Sequence, residues 1–413
     1  MLPVSTKDGL GASFFDALFT ATSAVCVTGL IVQDTATYWS GFGQGVILSL
    51  IQTGGMGIVT LGVSLALFSG RKIGLKQRST MQEAIGAPKV GGIVKLTGFL
   101  LKVTVLTELA GAAVMAPVFC KELGIAKGIW YSLFHSVSAF CNAGFDLMGY
   151  RERFSSLVYF VSEPSINLAI MGLIVAGGLG FLTWKDIVVH KIHIRRYSMQ
   201  SKVILVTTSL LILFPAVFFF FFEFQDRPLQ ERILSSLFQS VTPRTAGFNT
   251  VDLTAMSEPG QGIMTILMLI GGAPGSTAGG MKITTLAVML STALTVFCKK
   301  ENPQFFGRRI TDEAVRNAGT ILTMYLILFL VGGFAISCLE NLPLVVCLYE
   351  AASAVGTVGL TLGITPELGV ASRMILILLM YLGRVGGLTF VFAALSGRHN
   401  APARLPEERI AVG

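Results

Sequence analysis

The sequence predicts an all-α polytopic membrane protein built from four similar units around a common axis. Of its 413 residues, 53% are hydrophobic and only 13% are charged, and the mean hydropathy is +0.71. A soluble chain of this length carries more polar residues on its surface. One short glycine-centred segment also recurs four times along the chain. A soluble fold rarely needs four copies of one loop, whereas an axis with four-fold pseudosymmetry takes one from each quarter.

Seven apolar runs approach or exceed the length that crosses a bilayer. About 20 apolar residues are needed to span a hydrocarbon core of about 30 Å. Four units of two crossing helices each would give eight crossing helices. The sequence has seven such runs, so we expect seven crossing helices and infer that the first unit lacks one. The runs comprise residues 42–68, 96–117, 166–183, 203–222, 263–297, 321–338 and 374–395.

The net charge of +8 is concentrated in basic clusters that follow the apolar runs. With two crossings in each quarter, all four clusters fall on one face of the membrane, as the positive-inside rule expects of the cytoplasmic side. Nucleic-acid binding is excluded, because it needs the charges on one soluble surface. The clusters are residues 71–78, 185–196, 299–309 and 398–409.

Four glycines end the repeated segments: Gly29, Gly144, Gly247 and Gly359, which lie 115, 103 and 112 residues apart. We call them the repeat glycines. Before each one stands a segment of about ten residues, too short to span the membrane and suited to a helix that enters and leaves on one side. The third repeat is one residue shorter, because its aromatic Phe238 stands nine rather than ten residues before the glycine. The short segments are residues 13–23, 128–138, 231–241 and 344–353.

We expect one membrane pore domain over residues 1–413. Each quarter should contain a crossing helix, a short re-entrant helix, a glycine loop and a second crossing helix. The approximate repeats are residues 1–78, 79–197, 198–309 and 310–413. The first is incomplete, because it starts too late to hold its own first crossing helix, and we expect a misassigned start or a truncation.

The glycine loops are candidates for an ion selectivity filter. Irregular backbone inside a membrane is tolerated only where protein buries it or water lines it, and carbonyl oxygens around an axis replace part of a cation's hydration shell. Glycine reaches a positive φ without steric penalty, and the carboxyl ends of the short helices add partial negative charge. A single copy is explained by a turn between helices, but four copies favour a pore. The predicted ion-binding residues, acting mainly through their backbone, are Val27, Thr28 and Gly29; Asn142, Ala143 and Gly144; Thr245, Ala246 and Gly247; Thr357, Val358 and Gly359.

Two aspartates complete a pattern that resembles a known family. Asp34 and Asp252 each stand five residues after a repeat glycine. Together with the four loops, they make the chain similar to the Trk/Ktr/HKT superfamily of potassium transporters over nearly its whole length. The resemblance is closest to the Ktr-type ion-translocating membrane subunit.

The resemblance implies a function and its partners. A chain of this kind takes up potassium across the bacterial plasma membrane as a multi-pass protein, with the potassium ion as the substrate at the filter and no covalently bound cofactor. Family members form homodimers and dock on a cytoplasmic ring of nucleotide-binding regulatory subunits. The basic clusters are a candidate docking face, although the positive-inside pattern explains them equally well. In this superfamily, the presence of all four repeat glycines favours potassium over sodium.

The run after the third repeat glycine contains a stretch that cannot stay helical. Residues 271–280 hold one proline and five glycines, both of which disfavour a helix interior. We predict an intramembrane loop beneath the filter that obstructs the pore, and the resemblance implies the same, since the family carries a gating loop in its third repeat. A simple kink or hinge is the alternative. The predicted gate residues are Gly271, Gly272, Pro274, Gly275, Ser276, Thr277, Gly279, Gly280 and Arg384.

Charged residues within the apolar runs and loops need partners. Arg384, deep in the last run, is predicted to reach the pore below the filter and to bond the carbonyls of the gate loop. A structural pair with a carboxylate such as Glu108 is the alternative. Lys282 is expected to extend to the cytoplasmic face. Arg244, inside the third loop, should point away from the axis and brace the loop, because a guanidinium on the axis would repel cations.

The sequence shows no constellation typical of an enzyme. Its four histidines have no ligand spacing with cysteines or carboxylates, and no Ser-His-Asp set or paired-carboxylate site stands out. The alternative function is a sodium-coupled or sodium-passing secondary cation transporter with discontinuous helices. Two inverted halves would indicate that fold, whereas the four repeats here share one orientation.

Overall fold

Helices dominate the computed structural model, which describes residues 1–57 and 93–386. Within these ranges, a short β-hairpin pairs β1, Gln304–Phe305, with β2, Arg308–Arg309. A π-helical turn, Phe219–Glu223, extends the seventh helix. The α-helices in chain order are α1 Phe14–Cys26, α2 Gly41–Met56, α3 Ile93–Leu123, α4 Ile125–Phe140, α5 Pro164–Gly178, α6 Phe181–His190, α7 Met199–Phe218, α8 Leu229–Val241, α9 Glu258–Met268, α10 Ile283–Phe297, α11 Asp312–Glu340, α12 Leu344–Gly356 and α13 Val370–Val385.

Serine and threonine hydroxyls mark the starts of several helices. Ser13 Oγ accepts the backbone N–H of Asp16 at 3.1 Å, and Thr311 Oγ1 accepts that of Ala314 at 3.3 Å. Such N-caps satisfy a donor that the first helical turn leaves without a partner. The same bond to the residue three positions on is made by Ser40, Ser198 and Ser257.

Three helices in the described ranges are long and apolar enough to cross a membrane, namely Val94–Leu123, Met199–Glu223 and Asp312–Glu340. Helices α5 and α6 reach that length only as a pair, bent by 100° at their junction. The predicted run at 166–183 is therefore not one straight helix. Gly180 takes a φ of +84° there, and the N–H of the next residue bonds outside the helix. Parts of the runs at 42–68 and 374–395 lie outside the described residues, so the number of seven crossing helices stays a prediction.

The four short segments form helices, as predicted. They are α1, α4, α8 and α12, and each extends at one or both ends beyond the predicted bounds. One aromatic ring in each is completely buried, and burial of a large apolar side chain contributes about 1.5–3 kcal/mol. The buried aromatic side chain therefore anchors each short helix against its neighbours. The four residues are Phe19, Phe134, Phe238 and Tyr349.

Two of the four basic clusters meet on one side of the fold. Lys202, in the first turn of α7, donates to the Arg195 carbonyl oxygen at 2.8 Å. Its Nζ also lies 5.8 Å from the centre of the Phe306 ring, in the turn of the β-hairpin. The clusters at 185–196 and 299–309 therefore lie side by side, as predicted for a common face. The clusters at 71–78 and 398–409 lie outside the described residues.

Asp34 joins the first two repeats. Its buried carboxylate accepts the Thr37 N–H at 2.7 Å, the Thr37 hydroxyl at 2.8 Å and the Phe154 N–H at 3.2 Å. Asp252, at the equivalent position of the third repeat, is exposed and bonds Thr254 within its own turn, at 2.9 Å to the N–H and 2.7 Å to the hydroxyl. The two equivalent aspartates therefore have different structural roles, because only Asp34 bonds a residue of another repeat.

The substitution Asp34→Ala should lower the free energy of unfolding by about 3 kcal/mol. Hydrogen bonds to a charged group contribute about 1.5–3 kcal/mol each, and the lost acceptor leaves the Phe154 N–H without its partner. The thermal unfolding midpoint of the detergent-solubilised protein measures this loss. Asp252→Ala is the matched control and should lower the free energy of unfolding by less than about 1 kcal/mol. Equal shifts in the two variants would contradict the bridging role of Asp34.

Candidate ion-conducting site

The four glycine loops meet in a closed ring. A Cβ atom placed on any repeat glycine would fall less than 3.0 Å from a carbonyl oxygen of the next loop, a distance that real Cβ atoms essentially never show. We number the glycine loops one to four in chain order. The contacts run from loop one to loop two, from two to three, from three to four and from four back to one. Glycine is therefore required at these four positions by close approach of the backbone. The oxygens facing Gly29, Gly144, Gly247 and Gly359 belong to Ala143, Ala246, Val358 and Thr28, respectively.

All four loops have a positive φ at the same two places, the repeat glycine and the residue two positions before it. The repeat glycines have φ between 68° and 95°, and the residue two positions earlier has φ between 52° and 67°. Non-glycine residues rarely adopt this region, and such strain persists only where the surroundings over-determine it. The repeat thus lies in the backbone, which explains why different side chains occupy equivalent places. The left-handed non-glycine residues are Val27, Asn142, Thr245 and Thr357.

A hydroxyl group near the end of each short helix braces its loop, a feature that sequence reasoning missed. Ser23 Oγ accepts the Gly29 N–H at 3.1 Å, and Ser353 Oγ accepts the Gly359 N–H at 3.0 Å. The sequence does contain a pattern that marks these hydroxyls. A serine stands six residues before the repeat glycine in repeats one, two and four, and a threonine stands five residues before it in repeat three. In loops two and three the hydroxyl instead donates to the carbonyl that follows the glycine: Ser138 to Phe145 at 2.7 Å and Thr242 to Phe248 at 2.5 Å.

Arg244 points away from the ring, as predicted. Its guanidinium lies 3.5 Å from the Thr208 hydroxyl on α7, and the residue is buried. Its carbonyl oxygen accepts the Asn142 amide at 3.3 Å, and the same amide lies 3.4 Å from the Thr245 hydroxyl. The third loop is thus braced by α7 on one side and by loop two on the other.

The ring opens on one side into a cavity of about 180 Å³, the mouth cavity. All four repeat glycines line this cavity, together with the carboxylates of Asp146 and Asp252. Asp146 is held in place by the Met148 N–H, which its Oδ1 accepts at 2.8 Å. Carboxylates around a narrow entrance raise the local concentration of cations.

Residues 271–280 form an ordered loop between α9 and α10 rather than a kink, and we call it the glycine-rich loop. The Gly271 N–H donates to the Met281 carbonyl at 2.7 Å, which closes the loop at its base. Backbone bonds also attach it to the bend between α5 and α6. These bonds run from Ala273 N–H to Gly178 at 2.9 Å, from Thr277 N–H to Gly177 at 3.2 Å, and from Phe181 N–H to Gly275 at 2.8 Å.

The glycine-rich loop lies against loops two and four where they leave their short helices. The Thr277 hydroxyl donates to the carbonyl of Phe140, the last residue of α4, at 2.9 Å and lies 3.2 Å from Asn142 Oδ1. A Cβ on Gly279 would collide with the Thr357 side chain just after α12. The mouth cavity is lined by the loops from their glycines onward, so the glycine-rich loop touches the opposite end of the ring.

Arg384 on α13 connects the glycine-rich loop to the first repeat. Its guanidinium donates to the Thr277 carbonyl oxygen and, through its other terminal nitrogen, to those of Gly54 and Gly55 near the end of α2, the latter at 3.4 Å. Within residues 1–57 and 93–386 it forms no ion pair, and Glu108 is not its partner. The guanidinium therefore binds backbone carbonyls rather than a carboxylate.

Lys282 does not extend to the cytoplasmic face, contrary to the expectation. Its Nζ donates to the Ala278 carbonyl at 2.7 Å and lies 3.4 Å from that of Gly279. The non-helical backbone leaves these carbonyls without helical partners, and an ammonium group offers three donors. The nearby oxygens therefore hold the side chain against the glycine-rich loop.

Comparison with known proteins identifies the family. The TrkH family model, described as a cation transport protein, matches residues 3–400. The chain belongs to the TrkH family. Potassium/sodium uptake protein NtpJ of Enterococcus hirae is 40% identical over 423 residues, with all of this chain and 92% of that protein aligned. Ktr system potassium uptake protein B of Bacillus subtilis is 37% identical over 419 residues, with the same coverage of both chains.

A solved structure shows the same fold. The potassium transporter TrkH from Vibrio parahaemolyticus superposes with a TM-score of 0.72 and 18% sequence identity, over 93% of this chain and 78% of that one. Membership of the TrkH family thus confirms the predicted all-α polytopic fold and the resemblance to the Trk/Ktr/HKT superfamily. This TrkH-family chain is a multi-pass transporter of the plasma membrane and not an enzyme.

We predict that Asp146 makes the mouth cavity of this TrkH-family protein sensitive to pH. It lies between α4 and α5, outside the membrane-spanning helices. Burial raises the pKa of Asp146 to about 7, the bond from the Met148 N–H opposes that shift, and the charge of Asp34 adds to it. We therefore expect the carboxylate to be charged above about pH 7 and to become neutral as the pH falls below it.

Cation uptake from dilute solution should fall by about threefold as the external pH drops from 8 to 6, because one charge is lost at the entrance. Asp146→Asn should show the low rate at both pH values. Asp252→Asn should lower the rate but keep the pH step, since Asp146 remains. Flux measured at both pH values with a fixed membrane potential tests this. A full pH step in Asp146→Asn would contradict the assignment.

Proposed function

We propose that this chain conducts potassium ions across the plasma membrane through the ring of its four glycine loops. The observation that carries the proposal is the closed ring itself, in which each repeat glycine abuts the next loop. Two relatives that align with the whole chain are named for potassium uptake, and they support potassium as the cation. Potassium is then the transported substrate.

The twelve residues of the four loops bind the ion in this proposal. Their backbone carbonyl oxygens replace part of the hydration shell, as in other cation filters. Asp146 and Asp252 concentrate cations in the mouth cavity before they enter the ring. The membrane potential drives the ion inward, toward the side on which the basic clusters lie.

The glycine-rich loop and Arg384 form the gate in this proposal. The loop touches the ring at the end opposite the mouth cavity, where a cation leaving the ring meets it. Arg384 and Lys282 both bond carbonyls of this loop, so they hold it in place and add positive charge on the ion's path. A cationic constriction is an electrostatic barrier to cations. Conduction then requires the Arg384 bonds to break.

Ion flux in proteoliposomes tests the proposed function. The purified protein is reconstituted, a membrane potential negative inside is imposed, and initial rates for potassium, rubidium and sodium are compared with those of protein-free vesicles. Potassium and rubidium should enter faster than sodium. Absence of any cation flux from protein that remains folded by circular dichroism would contradict the proposal.

Sodium passage is the second candidate function. One relative that is 40% identical is named for uptake of both potassium and sodium. In that case the chain works as a sodium-coupled or sodium-passing cation transporter. The same vesicles distinguish the two: potassium entry that requires a sodium gradient indicates coupling, and equal rates for the two ions indicate unselective passage.

We also propose that the chain forms a homodimer and binds a cytoplasmic ring of nucleotide-binding regulatory subunits. Relatives named as parts of a Ktr system support a multi-component assembly. The adjoining basic clusters around Lys202 form the candidate docking face. Charge reversal at the exposed Arg308 should weaken co-purification of such a subunit. Unchanged co-purification would leave the positive-inside rule as the explanation of these charges.

A further inference from the structure

A polar residue directly follows the buried aromatic of each short helix. Each stands nine residues before its repeat glycine, or eight in the third repeat, and none is more than 3% exposed. Polar side chains buried this completely need hydrogen-bond partners. We call the four residues the polar girdle, and they are Thr20, His135, Gln239 and Glu350.

Glu350 holds the chain that leaves loop four. Its Oε1 accepts the Thr361 hydroxyl and, at 3.0 Å, the Thr365 hydroxyl. Thr361 stands two residues after Gly359 and lines the mouth cavity, whereas Glu350 is completely buried in α12. The bond therefore runs from the wall of the mouth back into the short helix and ties the outer end of loop four to it.

His135 makes the equivalent tie for loop two. Its Nε2 accepts the N–H of Leu147, three residues after Gly144, at 3.3 Å. Its Nδ1 lies 2.7 Å from the Tyr131 carbonyl, within its own helix. A neutral imidazole has one donor and one acceptor nitrogen, so one tautomer satisfies both bonds. Loops two and four lie opposite each other in the ring.

The girdle residues of loops one and three make no such tie in the part of the chain that the structure describes. There, Thr20 Oγ1 and both side-chain polar atoms of Gln239 lack a hydrogen-bond partner. The polar girdle thus fastens one opposite pair of loops to its short helices. The other pair relies on bonds outside the girdle, namely the Ser and Thr hydroxyls described above and, for loop one, the Gln33 amide that donates to Asp16 on α1 at 3.3 Å.

We propose that Glu350 and His135 are positioning residues that set the cation selectivity of the ring. The inference rests on the proposed function of the ring as a filter. Carbonyl oxygens discriminate between cations through their number and spacing. Two opposite loops held at their outer ends keep the ring wide enough for potassium. Releasing one of them lets the loop move inward around the smaller sodium ion.

The ratio of initial potassium to sodium rates in proteoliposomes tests the inference. Glu350→Ala should lower this ratio by about tenfold, the size expected when a buried hydrogen bond is lost. Glu350→Gln keeps the Oε1 acceptor and should restore most of the ratio. A merely structural role would reduce the amount of folded protein and both rates together, without changing their ratio.

Glu340→Ala is the matched control. Glu340 is a carboxylate of the same repeat that accepts the Gly369 N–H at 2.9 Å, away from the ring, and its variant should keep the wild-type ratio. If Glu350→Ala does not fold, Thr361→Val removes the hydroxyl that Glu350 holds and should also lower the ratio. An unchanged ratio in Glu350→Ala, or in Thr361→Val where that variant replaces it, overturns the inference. A wild-type protein that passes no cation contradicts the filter function instead.

Discussion

Gly247→Ala is expected to lower cation flux by about 100-fold or more. The added Cβ would overlap the Val358 carbonyl oxygen of loop four, which cannot move without displacing Gly359. The φ of +80° adds a penalty of about 1–2 kcal/mol for a residue with a Cβ. Misplacement by about 1 Å at a site that depends on exact geometry reduces rates by about 10²-fold. Initial rates of rubidium entry into proteoliposomes measure the effect.

Gly124→Ala is the matched control for this loss. Gly124 precedes α4 with a φ of +82°, but nothing lies within 4 Å of the position of its Cβ. The control therefore also places a Cβ on a residue with positive φ, but without the collision. It should lose about 1–3 kcal/mol of stability and keep its flux. Similar flux losses in both variants would show that strain, rather than the closed ring, explains the Gly247 result.

Arg384→Ala should raise cation flux by about tenfold in the absence of any regulatory subunit. The substitution removes the guanidinium bonds to Thr277 in the glycine-rich loop and to Gly54 and Gly55 of the first repeat. A bond from a charged donor contributes about 1.5–3 kcal/mol, and each 1.4 kcal/mol changes an equilibrium tenfold. The closed position of the loop therefore loses at least that preference. Flux into proteoliposomes of equal protein content measures it.

Two controls separate gating from damage to the fold. Arg373 lies on the same helix and bonds Asp16 and the Pro366 carbonyl, away from the glycine-rich loop, so Arg373→Ala should not raise flux. Combining Arg384→Ala with Gly247→Ala should abolish the increase, because the extra ions must still pass the ring. A lower flux in Arg384→Ala than in the wild type would contradict the gate and indicate a purely structural arginine.

Local patterns in the sequence predicted much of the candidate site. The repeat glycines and the short helices before them were found because each pattern is confined to about ten consecutive residues. Arg244 was placed correctly by electrostatics alone, since a guanidinium pointing into the ring would repel the cations that bind there. The loop at 271–280 followed from proline and glycine content, which prevents a helix whatever its surroundings.

Other features required knowledge of which segments become neighbours. The bond partners of Arg384 on α2 are about 330 positions away in the chain, and no local pattern links them. Lys282 was misjudged because its ammonium reaches the carbonyls of Ala278 and Gly279 in the glycine-rich loop. The polar girdle was overlooked because the role of a buried polar residue in a helix depends on the segment that it bonds, and the sequence does not show that segment.

The sequence by itself determined the membrane class, the four-fold repeat and the residues that build the ring, because hydropathy and short repeats are local properties of a chain. The tertiary structure alone decided that the four loops close on one another through Gly29, Gly144, Gly247 and Gly359. It also decided that Arg384 bonds the Thr277 carbonyl of the glycine-rich loop. Both depend on contacts between repeats about 100 residues or more apart, and such contacts arise from packing rather than from local propensity.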